Sequence, residues 1–254
     1  MRSIPSLLYG GYAWLVLLVV AVPLAIAFLV TPGVLRRRRL ARWGARSVLR
    51  LIASPVRLGG QKLEAIGSAV VVANHSSYLD GIVLTAALPP RFTFLIKHEM
   101  RTVPLAGFIL RRLGSQFVDR ENARQRQRTA RRLVTAASNG GALAVFPEGT
   151  FDAPPGLKRF QMGAFSAAWR AGQAIVPVVI EGARAKLPSG ALLPRPGPIA
   201  VEVCAPLAAA DFDSARALMQ ASRNAILERL AEPDLELDAD AAREPQTAAG
   251  YIAP

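Results

Sequence analysis

The sequence predicts an α/β fold: a mostly parallel central sheet covered by helices on both faces, preceded by an N-terminal membrane helix. Three observations carry this. From Pro55 onward, short apolar runs of strand length alternate with runs of helical period, the pattern of parallel strands joined by crossover helices. No charged side chain occurs from Leu7 to Val30, a stretch long enough to cross a bilayer as a helix. Directly behind it come Arg36, Arg37, Arg38, Arg39, Arg42, Arg46 and Arg50 with no acid between them, as expected of the cytoplasmic flank of a membrane segment.

Taken in order, the apolar run holds Pro23 inside it and Gly10 and Gly11 near its start. It therefore reads as a spanning helix, a bent one, or one that enters and leaves the same leaflet. A cleaved signal peptide is opposed by the length of the run, by an n-region holding only Arg2, and by the lack of a clean small-residue cleavage site. Val34–Ala53 reads as a basic amphipathic helix with Leu40, Trp43, Val48, Leu51 and Ile52 apolar, suited to a membrane surface, and Ser54 and Pro55 end it. Strands are predicted near Ala69–Ala73, Phe92–Ile96, Gln116–Val118, Ala142–Phe146, Ala174–Ile180 and Ile199–Cys204. Helices are predicted over Tyr78–Leu88, Val103–Leu113, Ala123–Ser138, Gly163–Arg170 and Asp211–Leu230. In Ala123–Ser138 the stripe Ala130, Leu133, Val134 and Ala137 opposes Arg124, Arg128, Arg131 and Arg132; that basic face is either solvated or turned to anionic lipid. The chain thus divides into a membrane segment (1–33), an interfacial helix (34–54), the α/β domain (55–231) and a tail (232–254). The tail sets Glu232, Asp234, Glu236, Asp238, Asp240 and Glu244 against Arg243 alone, the composition of a disordered segment dispensable for chemistry.

Composition narrows the function. The 31 basic and 18 acidic side chains give a net charge of +13. The basic residues crowd beside the apolar segment, and no stripe of cations interleaved with aromatics is present, which excludes nucleic acid as the partner and favours anionic lipid headgroups and acidic substrates. Cys204 is the only cysteine, so no intramolecular disulfide forms. With two histidines and that one cysteine, no zinc site of usual spacing is expected and no metal is assigned. There is no GxSxG nucleophile elbow.

The chemistry-bearing stretch is NHSSYLD, Asn74 to Asp80, immediately after the strand-like AVVVA. On a continuous helix His75 and Asp80 would be about 140° apart and would not meet. They meet if His75 sits on the strand-to-helix turn and Asp80 on the helix that follows. Asp80 then holds one ring nitrogen while the other points into a cleft as a general base. Asn74, Ser76 and Ser77 are candidates to cap that helix. Three further blocks lie downstream: GSQFVDR (Gly114–Arg120), FPEGT (Phe146–Thr150), and AIVPVVIEG (Ala174–Gly182) with Pro177 inside a strand.

These four blocks, in this order, resemble the PlsC-type lysophospholipid acyltransferases, with the likeness running from Pro55 to Cys204. The resemblance implies that His75 and Asp80 are catalytic, with His75 taking a hydroxyl proton and Asp80 orienting it. It also implies an acceptor-binding role for Glu148, Gly149 and Thr150, for which a purely structural turn is the alternative. Arg120 matches a phosphate gripper, since a guanidinium fork fits phosphate oxygens, and an ion pair with Asp119 or Glu121 competes. Lys97 reads as solvated or as a contact to substrate phosphates, and His98 as structural. The family's third block carries an arginine directly after its threonine, where this chain has Phe151; Lys158 and Arg159 follow as candidates for that cation's role.

The implied reaction moves a fatty acyl group from a thioester donor to the free hydroxyl of a lysophospholipid, foremost 1-acylglycerol-3-phosphate to phosphatidic acid. Acyl-CoA or acyl carrier protein thioester serves as co-substrate, with no bound cofactor. Another lysolipid acceptor, such as a lyso-ornithine lipid, and a membrane-anchored lipid or thioester hydrolase are the alternatives. Leu105, Phe108, Ile109 and Leu110 are candidates for an apolar trench for the acyl chain. The expected location is the inner (cytoplasmic) membrane, with the catalytic domain facing the cytoplasm.

Overall fold

Every residue of β2 (Ala69–Ala73) is fully buried, so the strand has protein on both faces and sits at the middle of its sheet. The structure is a computed structural model that describes residues 4–118, 141–152 and 154–236. Around β2 lie β1 (Val56–Gly60), β3 (Phe92–Lys97), β4 (Gln116–Val118), β5 (Ala142–Val145), β6 (Ala174–Glu181) and β7 (Ile199–Val203), in the order β1-β7-β6-β2-β5-β3-β4. All neighbouring pairs are parallel except β6 with β7. The mostly parallel sheet follows, with β1 and β7 running against the other five.

Alternation along the strands sorts side chains to two faces. Ala69, Val71 and Ala73 join Val176, Val178 and Ile180 under α1 (Ile4–Val30), α2 (Val34–Leu51) and α3 (Asp80–Ala87). Val70 and Val72 join Leu143, Val145 and Ile175 under helices that, with α4 (Ala106–Arg112) preceding them in the chain, are α5 (Gly163–Arg170) and α7 (Ala215–Leu227); α6 is the short Ala183–Lys186 turn between β6 and β7. Ser214 caps α7 by accepting from the Ala217 amide at 3.2 Å. Pro177 is tolerated inside β6 because it falls between the Ile175–Leu207 bridge and the start of β7 pairing at Val178.

α1 is one continuous helix through Pro23 and the one described helix long and apolar enough to cross a membrane. It folds back against α2 as a hairpin. The Tyr9 and Tyr12 hydroxyls donate to the Ile52 and Leu51 carbonyls at 2.8 and 3.0 Å, and the Trp14 indole donates to the Leu192 carbonyl at 2.7 Å. At the other end Arg112 donates to the Phe28 and Leu29 carbonyls. Lys186, fully buried, donates to the Tyr9 hydroxyl at 2.9 Å and to Ser54 and the Gly197 carbonyl.

The arginine run divides by helical position. Arg38, Arg42 and Arg46 recur every fourth residue and face the domain. Arg38 donates to the Leu113 and Arg91 carbonyls and to the Thr93 hydroxyl, and Arg42 and Arg46 donate to the carbonyls of Ala86 and Ala87 that end α3. Unpaired carbonyls and the negative end of the dipole gather there, so a cation is favourable. Arg36, Arg39 and Arg50 remain exposed.

Three expectations change. β1 was not foreseen, since VRLGG is exposed on most of its length as an edge strand. The helix expected over Asp211–Leu230 is a 3₁₀ turn (Ala209–Asp211) followed by α7. The tail expected to be disordered from residue 232 is docked through residue 236. There Glu232 pairs with Arg184, while Asp234 and Glu236 pair with Arg223, whose side chain is nearly fully buried. Burying that guanidinium requires opposite charge, and these acids supply it. The helix expected over Ala123–Ser138, and the rest of the tail, lie outside the described residues.

Candidate active site

His75 follows directly on β2, and its position is set by backbone first. Asn74 exchanges two hydrogen bonds with the Ile180 backbone (2.7 and 3.0 Å), continuing the β2–β6 pairing by one side chain. The chain then turns around Asp80. Its Oδ2 accepts from the Ser76 and Ser77 amides at 2.7 and 2.8 Å and from His75 Nδ1 at 2.9 Å. Asp80 is fully buried at the first position of α3, and the i,i+5 spacing closes because the intervening residues are turn, not helix. A carboxylate only accepts, so Nδ1 carries the proton and Nε2 keeps its lone pair for a substrate. Ser77 Oγ accepts from the Leu79 amide and donates to the Leu187 carbonyl. Asn74 and Ser76 do not cap α3, whose N-cap position is Leu79; the expected caps are spent on the turn and on β6.

β5 delivers Phe146, Pro147 and Glu148 beside this turn because β5 is the parallel neighbour of β2. Glu148 is 5% exposed, and both its oxygens serve backbone: Oε1 accepts from the His75 amide at 2.6 Å and Oε2 from the Lys158 amide at 2.9 Å. Burial pushes its carboxyl up to about 7, against the pull of those two amides and of Arg184. Gly149 turns the chain at φ 85°, a left-handed conformation that favours glycine, and its amide bonds the Phe146 carbonyl. Thr150 is exposed.

The imidazole is framed by aromatic rings. Phe146 stacks on it with centroids 4.2 Å apart, and Phe151 tilts over it at 4.5 Å. Tyr78 meets Phe151 edge-on at 4.8 Å. Phe151 thus stands against the histidine itself. Tyr78 was not singled out in the sequence, although it lies within the NHSSYLD block.

The expected cations are distributed differently from a single cluster. Lys97 pairs with Glu99 at 3.0 Å, Lys158 with Asp152 at 2.6 Å, and Arg159, 75% exposed, with Glu236 at 3.6 Å. Arg120 lies outside the described residues. His98 opens a 3₁₀ turn after β3. It lines, with Arg101, Val103, Leu105, Phe108 and Arg111, an open cleft of about 510 Å³ at the same carboxyl edge of the sheet as His75. Of the trench candidates, Leu105 and Phe108 face that cleft. Arg184, absent from the sequence reading, reaches the loop after Thr150 from α6; only its partners, distant in sequence, reveal it.

A family model described as acyltransferase matches residues 56–181, which run from β1 to the end of β6. The chain is 35% identical over 152 residues to the lyso-ornithine lipid O-acyltransferase of Pseudomonas aeruginosa, covering 60% of this chain and 57% of that protein, so under two thirds of that relative's length is spanned. It is 28% identical over 180 residues to the 1-acyl-sn-glycerol-3-phosphate acyltransferase of Haemophilus influenzae (70% of this chain, 74% of that protein). It is also 28% identical over 177 residues to the Escherichia coli protein of the same name (68% and 71%). In fold it matches the crystal structure of the 1-acyl-sn-glycerophosphate (LPA) acyltransferase, PlsC, from Thermotoga maritima, with TM-score 0.75 and 21% identity over 97% of this chain and 100% of that one. The ordered blocks, the fold built around them and these similarities lead to one family: the chain belongs to the PlsC-type acyltransferases.

Proposed function

We propose that this chain is a lysolipid O-acyltransferase. It moves a fatty acyl group from a coenzyme A or acyl carrier protein thioester to the free hydroxyl of a lysophospholipid, with 1-acylglycerol-3-phosphate to phosphatidic acid as the leading reaction. The observation that carries this reading is the Asp80–His75 pair, with Oδ2 and Nδ1 2.9 Å apart at the carboxyl end of β2. Nε2 takes the proton of the acceptor hydroxyl as that oxygen attacks the thioester carbonyl. The C–O bond forms, the C–S bond breaks, and the imidazolium, stabilised by Asp80, returns the proton to the leaving thiolate. A thioester is already activated, so no acyl-enzyme is needed. Glu148, with Gly149 shaping its turn, holds the backbone of His75 in place for this step.

Arg120 is the proposed grip on the acceptor phosphate, Thr150 an acceptor contact, and Lys97, Lys158 and Arg159 lesser contributors from their ion pairs. The domain works at the cytoplasmic face of the inner membrane, a reading supported by the apolar length of α1 and the exposed Arg36, Arg39 and Arg50 behind it. A second acceptor, a lysolipid without a phosphate monoester such as a lyso-ornithine lipid, is favoured by one observation. Phe151 places an apolar ring, not a cation, 4.5 Å from the His75 ring.

An acceptor panel with radiolabelled acyl donor and purified membranes tests these readings. Lysophosphatidate turnover supports the first. In that case Arg120→Ala lowers its use by about 10- to 150-fold relative to an acceptor without phosphate, as for loss of a charge-assisted contact. Transfer to lyso-ornithine lipid with none to lysophosphatidate supports the second. Release of free fatty acid with no ester product would replace both with hydrolysis.

A further inference from the structure

Glu232, Asp234 and Glu236, which follow α7, are each held in an ion pair, and Glu232 is forked onto Arg184. Glu232 Oε1 and Oε2 accept from Arg184 Nε and Nη2 at 2.7 and 2.9 Å, and both side chains are mostly buried. Arg184 Nη1 donates to the carbonyls of Asp152 and Pro154, each at 2.9 Å. Glu232 Oε2 also accepts from the Gly156 amide at 2.9 Å. One ion pair therefore meets four backbone groups of this loop, the fourth being the Gly156 carbonyl 3.5 Å from Arg184 Nη2. The next residues extend the grip: the Leu157 amide donates to the Pro233 carbonyl at 2.8 Å, and the Leu235 amide to the Leu157 carbonyl at 3.1 Å. Arg223 fastens this segment to α7 through Asp234, Glu236 and the Leu157 carbonyl.

The gripped loop is a wall of the active site. Phe151, next to the held Asp152 carbonyl, covers His75, and Lys158, next to the held Leu157, gives its amide to Glu148, which holds the His75 amide. Two short covalent and hydrogen-bonded routes thus run from Glu232 to the imidazole. Only a guanidinium can present two N–H groups to a carboxylate while a third nitrogen serves two carbonyls on another side.

We propose that Arg184 is a positioning residue of the acceptor side of the active site. Glu232, with the segment to Glu236, acts through it to hold the loop of Phe151, Asp152, Pro154 and Gly156 against His75. This deepens the acyltransferase reading and rests on it for its kinetic consequence. The clamp sets where the aromatic wall stands, and with it which acceptor headgroup fits beside the base.

The test uses the full-length chain in detergent micelles and the variants Arg184→Lys, Arg184→Gln, Glu232→Gln and the Arg184→Gln/Glu232→Gln double. Amide hydrogen exchange over residues 150–160 is read beside kcat and KM for two acceptors, lysophosphatidate and a lysolipid without a phosphate monoester, with the donor fixed. The expected result is faster exchange at Gly156 and Leu157, a fall of about 10- to 100-fold in kcat/KM, as for ångström-scale misplacement, and a changed ratio between the acceptors. Arg184→Lys does not rescue, and the double variant is no worse than the worse single, because the pair acts as a unit. A merely structural role lowers kcat equally for both acceptors through loss of folded enzyme and leaves both KM values and their ratio unchanged; that result overturns the proposal, as does unchanged exchange. If Arg184→Gln fails to fold, Glu232→Gln, which keeps the side-chain shape, carries the same readouts. Should the unmodified protein acylate no lysolipid, the acyltransferase reading falls, and the exchange measurement alone decides whether the clamp holds the loop.

Discussion

Three hydrogen bonds converge on one oxygen of Asp80, from His75 Nδ1 and the Ser76 and Ser77 amides. An asparagine here would keep its carbonyl where the two amides point, so Asp80→Asn folds with the same turn and loses the charge that stabilises the imidazolium. His75→Ala is expected to lower transfer by about 10²–10⁴-fold with an unchanged fold, as for loss of a general base, and Asp80→Asn to fall within the same range. Initial rates and a thermal unfolding midpoint, measured on the same preparations, check both; wild-type rates for either variant would remove the dyad from the mechanism. Glu148 yields a stability prediction with a definite sign. Its carboxyl is raised from 4.5 to about 7 by burial, against the two amides and Arg184, and with Asp80 adding to the rise. The folded protein therefore holds this proton more tightly than the unfolded chain, so the contribution is full below about pH 4.5 and is lost as pH rises through about 7. The span is worth on the order of 3 kcal/mol. Between pH 5 and pH 8 the unfolding free energy of the unmodified protein should fall by more than that of Glu148→Gln, which has no proton to lose. Parallel pH slopes in denaturant titrations would contradict this.

Among the elements, α2 shows how one run of like residues performs two tasks. Arg38 faces inward to the Leu113 and Arg91 carbonyls and to Thr93, whereas Arg39 is exposed. Arg38→Leu should destabilise the fold by about 1.5–3 kcal/mol, the range for hydrogen bonds from a charged group. Arg39→Ala should leave stability within about 0.5 kcal/mol and weaken binding to anionic vesicles, by about 1 kcal/mol if it sits at the headgroups. Denaturant unfolding and vesicle sedimentation separate the two; equal behaviour of both variants would contradict the division. That division was not legible in the sequence, because the carbonyls that Arg38 meets lie just after α4 and just before β3, far along the chain. β2, β4 and α5 could be read residue for residue, since AVVVA, QFV and GAFSAAWR carry clear strand or helix patterns between turn residues. β1 could not, because an exposed edge strand carries no apolar alternation, and nor could the reversal at β7, since strand direction depends on the connection rather than on the strand's own pattern. The meeting of His75 with Asp80 was legible because both ends of a six-residue turn lie in one local motif. The Glu232–Arg184 fork was not, because its partners are brought together only when α7 packs beside β6.

At the scale of the whole molecule, α1 and the domain are fastened at both ends of the helix. Its 27 residues make a rod of about 40 Å. The domain holds it near one end through Tyr9, Tyr12 and Trp14, and near the other through Arg112 on the Phe28 and Leu29 carbonyls. From Tyr9 to Phe28 the separation is roughly 28 Å, nearly the thickness of a bilayer's hydrocarbon core. A perpendicular crossing would therefore drag domain groups through that core, among them the Lys186 ammonium at Tyr9 and the Arg112 guanidinium at Phe28, where charge is strongly disfavoured. The outward face of α1 carries Leu8, Leu15, Val19, Val22, Ile26 and Leu29 exposed, and α2 adds Trp43 with Arg36, Arg39 and Arg50. That is an apolar surface bordered by an aromatic ring and cations, as suits a hairpin lying in one leaflet. The two ends of the chain should then lie on the same side of the membrane, in contrast to a spanning helix, which would put the N-terminus outside. Protease-cleavable tags placed ahead of Met1 and after Pro254 should both be cut from the same face of sealed vesicles. A tag ahead of Met1 that is protected until the bilayer is opened, while the other is cut, would mean that α1 crosses. The Lys186–Tyr9 and Arg112–Phe28 contacts would then have to break in the membrane.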